Sequence, residues 1–407
     1  MLLRQLLGLE YTRAVNCEFN DEGLVIDVAL AWRSPRCSGC GQSCRGYDSR
    51  RRRWRHLDSA GMKLFVRYDL RRVDCARCGV VVEYVPWADV GSWFTRAFEN
   101  HVGYLAQTSA KDAVRKLMRV AWSTIGDIIQ RVVKRHQRAG ALDGLTHIGI
   151  DELSYRRHHQ YVTVVVDHIR RGIVWASEGK DSDAALAFFD ELGPERIAKL
   201  KAVTIDMSKA YIKAVSEAAP GAEIVFDCFH VLRLAHDALD QVRRDEVRES
   251  TPAEREDLKD TRWALLKNPW NLKDLERDKL AALPRANRRL FRAYLLKESL
   301  AAILRGRQVN VARRKLGEWI RWAGRSRLAP FRRVANTIRS YLAGILAYVR
   351  TGLSNGRTEA FNGKARTITR RAYGLHSAAA LIALLKLCCS GIHLEPVTLR
   401  PGSTHET

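Results

Sequence analysis

No stretch of about 18 apolar residues, the length a helix needs to cross a bilayer, occurs in this chain of 407 residues. The most apolar segment, residues 378–389, is short and interrupted by Lys386. The opening residues include Arg4 and lack the apolar core and cleavage site of a secretory leader, so no export is expected. Internal repeats and low-complexity tracts are missing too, which excludes a solenoid. Acidic residues are scarce: 45 Asp and Glu stand against 69 Lys and Arg, a formal net charge of +24. An excess of that size captures polyanions, and with no membrane segment the expected one is nucleic acid. Apolar residues at 46% leave enough for the cores of two or three domains. Nine cysteines without an export signal suit reduced thiols and metal binding in the cytoplasm, not disulfides.

The positive charge is concentrated. Residues 285–339 hold sixteen Lys and Arg against only Glu298 and Glu318, with Trp319 and Trp322 interleaved. That is too one-sided for i,i+4 pairing and points to DNA contact, a solvated helical face being the alternative.

Two Cys-x-x-Cys pairs, Cys37-Ser38-Gly39-Cys40 and Cys75-Ala76-Arg77-Cys78, are each followed by glycine. Four thiolates suit tetrahedral Zn²⁺, and the two-residue gap lets one turn present two sulfurs. A closed site of four cysteines leaves no position for chemistry, so this zinc is structural. Cys44 is a spare ligand, and buried unliganded thiols are the competing reading. Between the pairs run Arg50, Arg51, Arg52, Arg53, Trp54 and Arg55. No acid interrupts them, which suits phosphate contact; a solvated loop is the alternative. Segments 23–32 and 62–73 alternate like strands.

Residues 111–135 read as a helix-turn-helix. The first helix would hold Ala113, Val114 and Leu117 inward. A turn over 119–122 leads to Ser123 as N-cap of the second. That helix buries Ile125, Ile128, Ile129 and Val132 and turns Thr124, Asp127, Arg131, Lys134 and Arg135 outward. An apolar stripe under a basic outer face is what major-groove reading requires. Ser123, Thr124, Arg131, Lys134 and Arg135 are therefore candidate DNA contacts.

After a small-residue joint at 139–144 come five short apolar runs, at 146–150, 161–166, 173–176, 202–205 and 223–226. Helical stretches at 182–192 and 208–218 flank the fourth. The order βββαβαβ predicts a mixed sheet, three antiparallel strands followed by two reached through helical crossovers. Helix continues from His230 nearly to the end, with Pro252, Pro269 and Pro284 at turns. Asp151 follows the first strand and Asp206 the fourth. Two strand-end carboxylates brought together repel unless a cation lies between them, and hard oxygens suit Mg²⁺. Two such ions can serve an in-line displacement at phosphorus. The competing reading is an Asp that merely caps the next helix. A third ligand is expected from the helix opened by Asn355-Gly356. There Glu359, Asn362 and Arg366 share a face, with Lys364, Arg370 and Arg371 around them. A surface ion pair is the alternative for Glu359. Asp227 and His230 end the fifth strand, where His230 reaches a phosphate or only pairs with Asp227. Glu152 points to the face opposite Asp151.

The paired Cys-x-x-Cys, Gly149-Ile150-Asp151-Glu152, Thr204-Ile205-Asp206-Met207, Asp227-Cys228-Phe229-His230 and the run from Asn355 through Glu359 to Asn362 go together. On these motifs the chain resembles the DDE transposases of bacterial insertion sequences, in the branch called ISL-three. The resemblance implies a multidomain α+β chain with an RNase H-like core and an α-helical insertion between the second Asp and the Glu. It implies Asp151, Asp206 and Glu359 as the metal triad and two Mg²⁺, for which Mn²⁺ can substitute. Its substrates would be double-stranded DNA, the element's terminal inverted repeats and a target. The expected divisions are a zinc module at 1–92, the helix-turn-helix at 93–142, the core at 143–235 and 341–407, and the basic insertion at 236–340. His230, Asn362, Lys364 and Arg366 join the candidate DNA contacts. Pairing two ends calls for a homodimer or larger assembly. The alternatives are a DNA-binding regulator and an RNase H-like nuclease without strand transfer.

Overall fold

The computed structural model describes residues 7–137, 140–156, 160–179, 181–354, 356–371 and 377–396. It divides into two compact units, Met1–Gln137 with Arg371–Tyr373 and Gly391–Thr407, and Arg138–Arg370 with Gly374–Ser390.

The first unit opens with a sheet of β1 (Thr12–Asn20), β2 (Gly23–Leu30), β3 (Arg45–Ser59), β4 (Met62–Cys75) and β5 (Gly79–Val82). Its order is β1-β2-β4-β3, with β5 also on β4, and only the β2–β4 pair is parallel. Alternation in β2 and β4 sends Leu24, Ile26, Val28, Leu64 and Val66 into a core with Trp54 and Trp87. The arginine run is no loop: it lies within β3, a strand of 15 residues. Three helices follow, α1 (Arg96–Thr108), α2 (Lys111–Met118) and α3 (Trp122–His136). Thr95 caps α1 by accepting from the Phe98 N–H at 3.3 Å. Arg119, left-handed at φ 53°, ends α2 and sets the tight turn. The inward residues of α2 are Val114 and Met118, whereas Leu117 is exposed and Ala113 half-buried. The expected stripe is therefore shifted. The N-cap of α3 is Ala121 and not Ser123, which already lies inside the helix; its buried stripe is Ile125, Ile128, Ile129, Val132 and Val133. The stretch after Gly391 also belongs to this unit and not to the second. The Ile392 carbonyl accepts from Gln107 Nε2 at 3.0 Å, and Leu394 is buried.

The second unit is built on β6 (His147–Arg156), β7 (Gln160–Asp167), β8 (Gly172–Glu178), β9 (Ala202–Ile205) and β10 (Glu223–Phe226), in the order β10-β9-β6-β7-β8. The first three strands are antiparallel hairpins; β9 pairs parallel to β6, and β10 parallel to β9. The connections are α4 (Ser182–Leu192), the single turn α5 (Pro194–Ile197) and α6 (Lys209–Ala218). This is the βββαβαβ arrangement expected from the apolar runs. A helical array follows: α7 (Cys228–Glu249), α8 (Pro252–Leu258), α9 (Thr261–Leu266), α10 (Asp274–Ala286), α11 (Arg288–Arg305), α12 (Val309–Arg325) and α13 (Ala329–Ser340). Then α14 (Leu342–Thr351) packs on β10 and α16 (Ala378–Cys389) on β8 and β7, with α15 (Gly356–Arg371) between them in sequence. Pro284 sits inside α10, within its last turn, and not at a break. One core runs from Ile148, Ile150, Val203 and Ile205 through Phe188 and Phe189 to Leu300, Leu316 and Phe331 of the array. Each such side chain contributes roughly 1.5–3 kcal/mol of burial. Trp319 belongs to that core, donating to the Leu296 carbonyl at 2.9 Å, so of the two indoles only Trp322 faces outward. Among the described residues no helix is long and apolar enough to cross a membrane.

One buried network holds α1 to α3. Glu99 has no exposed side-chain surface and accepts from Arg131 Nε at 2.6 Å and Ser92 Oγ at 2.7 Å, and from Arg135. Replacing Glu99 by Ala takes the acid partner from Arg131 and one of two from Arg135, which keeps Asp89, and urea denaturation is expected to show a loss of about 3 kcal/mol.

Candidate functional site

The two aspartates sit on neighbouring strands of the second sheet, Asp151 within β6, which runs on past the strand end expected at residue 150, and Asp206 just after β9. Ile148 pairs with Val203 and Gly149 with Thr204. The ladder ends at that pair; carried two residues further, the same alignment sets Asp151 opposite Asp206. On the far side of β9, Phe226 pairs with Ile205, and the Asp227 N–H donates to the Ile205 carbonyl at 3.2 Å. Asp227 thus stands level with Asp206. By strand alternation all three share the face on which Ala202 and Val225 pack against Ala347 of α14. Glu152 points the other way. Its register partner is Thr163, whose hydroxyl lies 3.2 Å from that of Tyr211 in α6.

Asp151 and Asp206 are half-buried, and each commits one oxygen to a backbone N–H close by in sequence. Asp151 Oδ1 accepts from the Glu152 N–H at 2.8 Å, and Asp206 Oδ1 from the Ser208 N–H at 2.8 Å. The helix-capping reading of Asp206 is thereby partly realised, since Ser208 is the N-cap of α6. The chemistry of the set is that of hard oxygens, which fits Mg²⁺. Asp227 is buried, with Oδ2 3.4 Å from Nδ1 of His230. That carboxylate holds the imidazole above its ordinary pKa; Asp151 pushes the same way and burial opposes both. Helix α15 runs beside β6, where Ala365, Arg366, Thr369 and Arg370 share a cleft with Glu152, Leu153 and Ser154. Asn355 lies outside the described residues, as do the side chains of Glu359 and Asn362, although both of those positions are in α15.

In the first unit Cys37, Cys40, Cys75 and Cys78 offer four sulfurs within 4.8 Å of one another, with Cys40 and Cys75 Sγ 3.6 Å apart. Tetrahedral Zn–S bonds of about 2.3 Å place sulfurs about 3.8 Å apart, so the cluster fits zinc. Gly41 and Gly79 follow the two knuckles at φ 75° and 71°, a turn that residues with a Cβ rarely take. Cys44 stands outside the cluster, its thiol facing the Gln42 carbonyl at 3.4 Å.

The basic candidates divide sharply. Arg51 pairs with Asp69 at 2.9 Å, Arg53 with Glu22, and the buried Arg55 with Asp58. Arg52 stacks over Trp93 at 4.5 Å and donates to the Ser92 carbonyl at 2.9 Å. Arg50 is exposed. The acids absent from the run come from elsewhere in the sheet: Asp69 is the cross-strand partner of Arg51 on β4, Glu22 lies in the β1–β2 turn, and Asp58 sits further along β3 itself. Arg131 and Arg135 likewise turn inward to Glu99 and Asp89, contrary to the outward orientation expected of them. Ser123 and Lys134 are exposed and Thr124 half-buried. In the second unit Lys364 Nζ donates to the Cys388 carbonyl at 2.5 Å, while Arg366 is exposed at the cleft. Lys297, one of the basic cluster, is buried and bonded to the Leu265 carbonyl at 2.8 Å. Arg313, Lys315, Arg321, Arg325, Arg332 and Arg333 are exposed on α12 and α13.

Three family models match the chain. One described as a transposase covers residues 148–385, and one for the zinc-finger of the IS204, IS1001, IS1096 and IS1165 transposases covers 33–78. The third, the helix-turn-helix domain of transposase family ISL3, covers 83–133. The transposase for insertion sequence element IS1557 of Mycobacterium tuberculosis is 37% identical, over 96% of this chain and 95% of its own. That for IS1001 of Bordetella parapertussis is 31% identical, over 83% of this chain and 84% of its own.

The sulfur cluster is expected to hold one zinc per chain, released when the thiols are titrated with an organomercurial. Cys40→Ser should lower zinc content and the melting temperature together; full zinc content in that variant contradicts the assignment.

Proposed function

We propose the chemistry from one premise: the chain belongs to the ISL3 family of transposases, and it is an insertion-sequence transposase with zinc-finger and helix-turn-helix modules. As a DNA-cleaving and strand-transferring enzyme it needs a site that manages charge at phosphorus. In our reading Asp151, Asp206 and Glu359 are that site. The observation that supports it is the parallel register of β6 and β9, whose alignment, carried two residues past Gly149 and Thr204, brings Asp151 level with Asp206 on one face. Two Mg²⁺ held there supply stabilisation of the attacking and leaving oxygens of an in-line displacement. Glu359 lies six residues before Ala365 on α15, roughly 9 Å along the helix, and Ala365 borders the cleft beside β6. Arg366 at the same cleft is placed to meet a phosphate, and the Asp227–His230 pair stands beside Asp206 on the far strand.

Water attacks the phosphorus at the element's end, its bond to the 3′ oxygen breaks, and a 3′-hydroxyl is freed. That hydroxyl then attacks a target phosphorus, forming one phosphodiester and releasing the target's 3′ oxygen. The zinc module at 1–92 and the helix-turn-helix at 93–142 hold the terminal repeats. The core, at 143–235 and 341–390, carries the chemistry, and the exposed arginines of the 236–340 insertion add sequence-independent grip. Two ends must be held at once, so the working form is a homodimer or larger assembly, acting on the nucleoid in the cytoplasm.

Asp206→Asn and Glu359→Gln should bind end DNA like the wild type and cut it about a thousandfold more slowly or worse. Mg²⁺-dependent cleavage of end-bearing DNA measures this. Undiminished cutting by Glu359→Gln removes it from the site, and cutting without joining by the wild type favours the plain nuclease.

A further inference from the structure

The outward stripe of α3 is Ser123, Asp127, Gln130 and Lys134, all exposed, at spacings of four, three and four. It differs from a generic basic face because Arg131 and Arg135 are engaged elsewhere. We propose that Asp127 and Gln130 are the base-reading residues of this helix, Lys134 its phosphate contact, and Arg131 and Arg135 positioning residues that fix its roll. This rests on the DNA-binding role of the helix-turn-helix and deepens it by naming what reads and what is read.

Two guanidinium groups tied to the wholly buried Glu99 cannot swing into a groove without leaving a charge stranded. The helix spans Trp122–His136, so Ser123 and Asp127 fall in its N-terminal half, the part that meets base edges in this motif, and Gln130 follows just past its midpoint. An aspartate there is an acceptor only. Phosphates repel it, and it is welcome only where it meets an exocyclic amine, N4 of cytosine or N6 of adenine. Guanine and thymine edges, which present acceptors, are rejected, so Asp127 supplies specificity by penalty. Lys111 on α2 feels the charge of Asp127, yet no ion pair within 4.0 Å joins them among the described residues. Gln130, nearly a turn further on, offers one donor and one acceptor, the complement of the N7 and N6 edge of adenine.

The test uses the full-length, zinc-loaded protein and a randomised duplex library, selecting bound sequences at fixed salt. Asp127→Ala is expected to lose base preference at one position, where discrimination falls about ten- to hundredfold, with the rest of the motif intact. Gln130→Ala should do the same at a neighbouring position. Lys134→Ala should weaken all sequences alike and lower the salt slope by about one. Arg135→Gln should lower the melting temperature. The proposal is overturned if Asp127→Ala and Gln130→Ala, melting like the wild type, recover the unaltered motif. It is also overturned if Arg135→Gln melts normally but changes the motif. A wild type that enriches no motif at all overturns the underlying role of the helix-turn-helix instead.

Discussion

Slipping β9 by one residue against β6 would carry Asp206 to the face opposite Asp151, because side chains alternate along a strand. The proposed catalytic arrangement depends on that register, and what pins it is apolar packing. On one face Ile148, Ile150, Val203 and Ile205 press into the core with α4 and α6. On the other, Ala202 and Val225 meet Ala347 of α14. Two acids about one strand apart are unfavourable by themselves, and burial sharpens their repulsion. In the proposed site the hydrophobic core holds together what electrostatics would separate, and a divalent cation would turn that repulsion into binding.

In the first unit the same interplay works in reverse. Much of the charge that looked available to DNA is consumed inside the fold. Glu22, Asp69, Asp89 and Glu99 meet arginines 18 to 46 residues away. Part of the surplus that makes the chain so basic stays exposed on α12 and α13. A one-sided helical surface of that kind binds polyanions without sequence preference and makes association salt-dependent.

What could be read from the sequence was local. The two Cys-x-x-Cys knuckles were legible because each presents its ligands within a single turn, and the five apolar runs because strand length and composition are local too. Asp151 and Asp206 were found as the residues following two of those runs. The partners of the arginines were invisible because β3 and β4 join residues far apart in sequence, and the run's own composition is silent about its neighbour. Arg131 and Arg135 misled for a related reason: helical spacing says which residues share a face but not that Glu99 lies buried under its margin. Leu117 and Ser123 were displaced by the left-handed Arg119, a backbone state that arginine seldom signals. The return of residues after Gly391 to the first unit left no mark in composition or period.

The central claim is that the register of β6 and β9 makes a metal site out of Asp151 within one strand and Asp206 at the end of the next. Counting Mn²⁺ bound per chain by electron paramagnetic resonance, in the complex with end DNA, tests it most directly. The account predicts two ions for the wild type and fewer for Asp151→Asn at unchanged DNA affinity. An Asp151→Asn complex that holds as many ions as the wild type would contradict it.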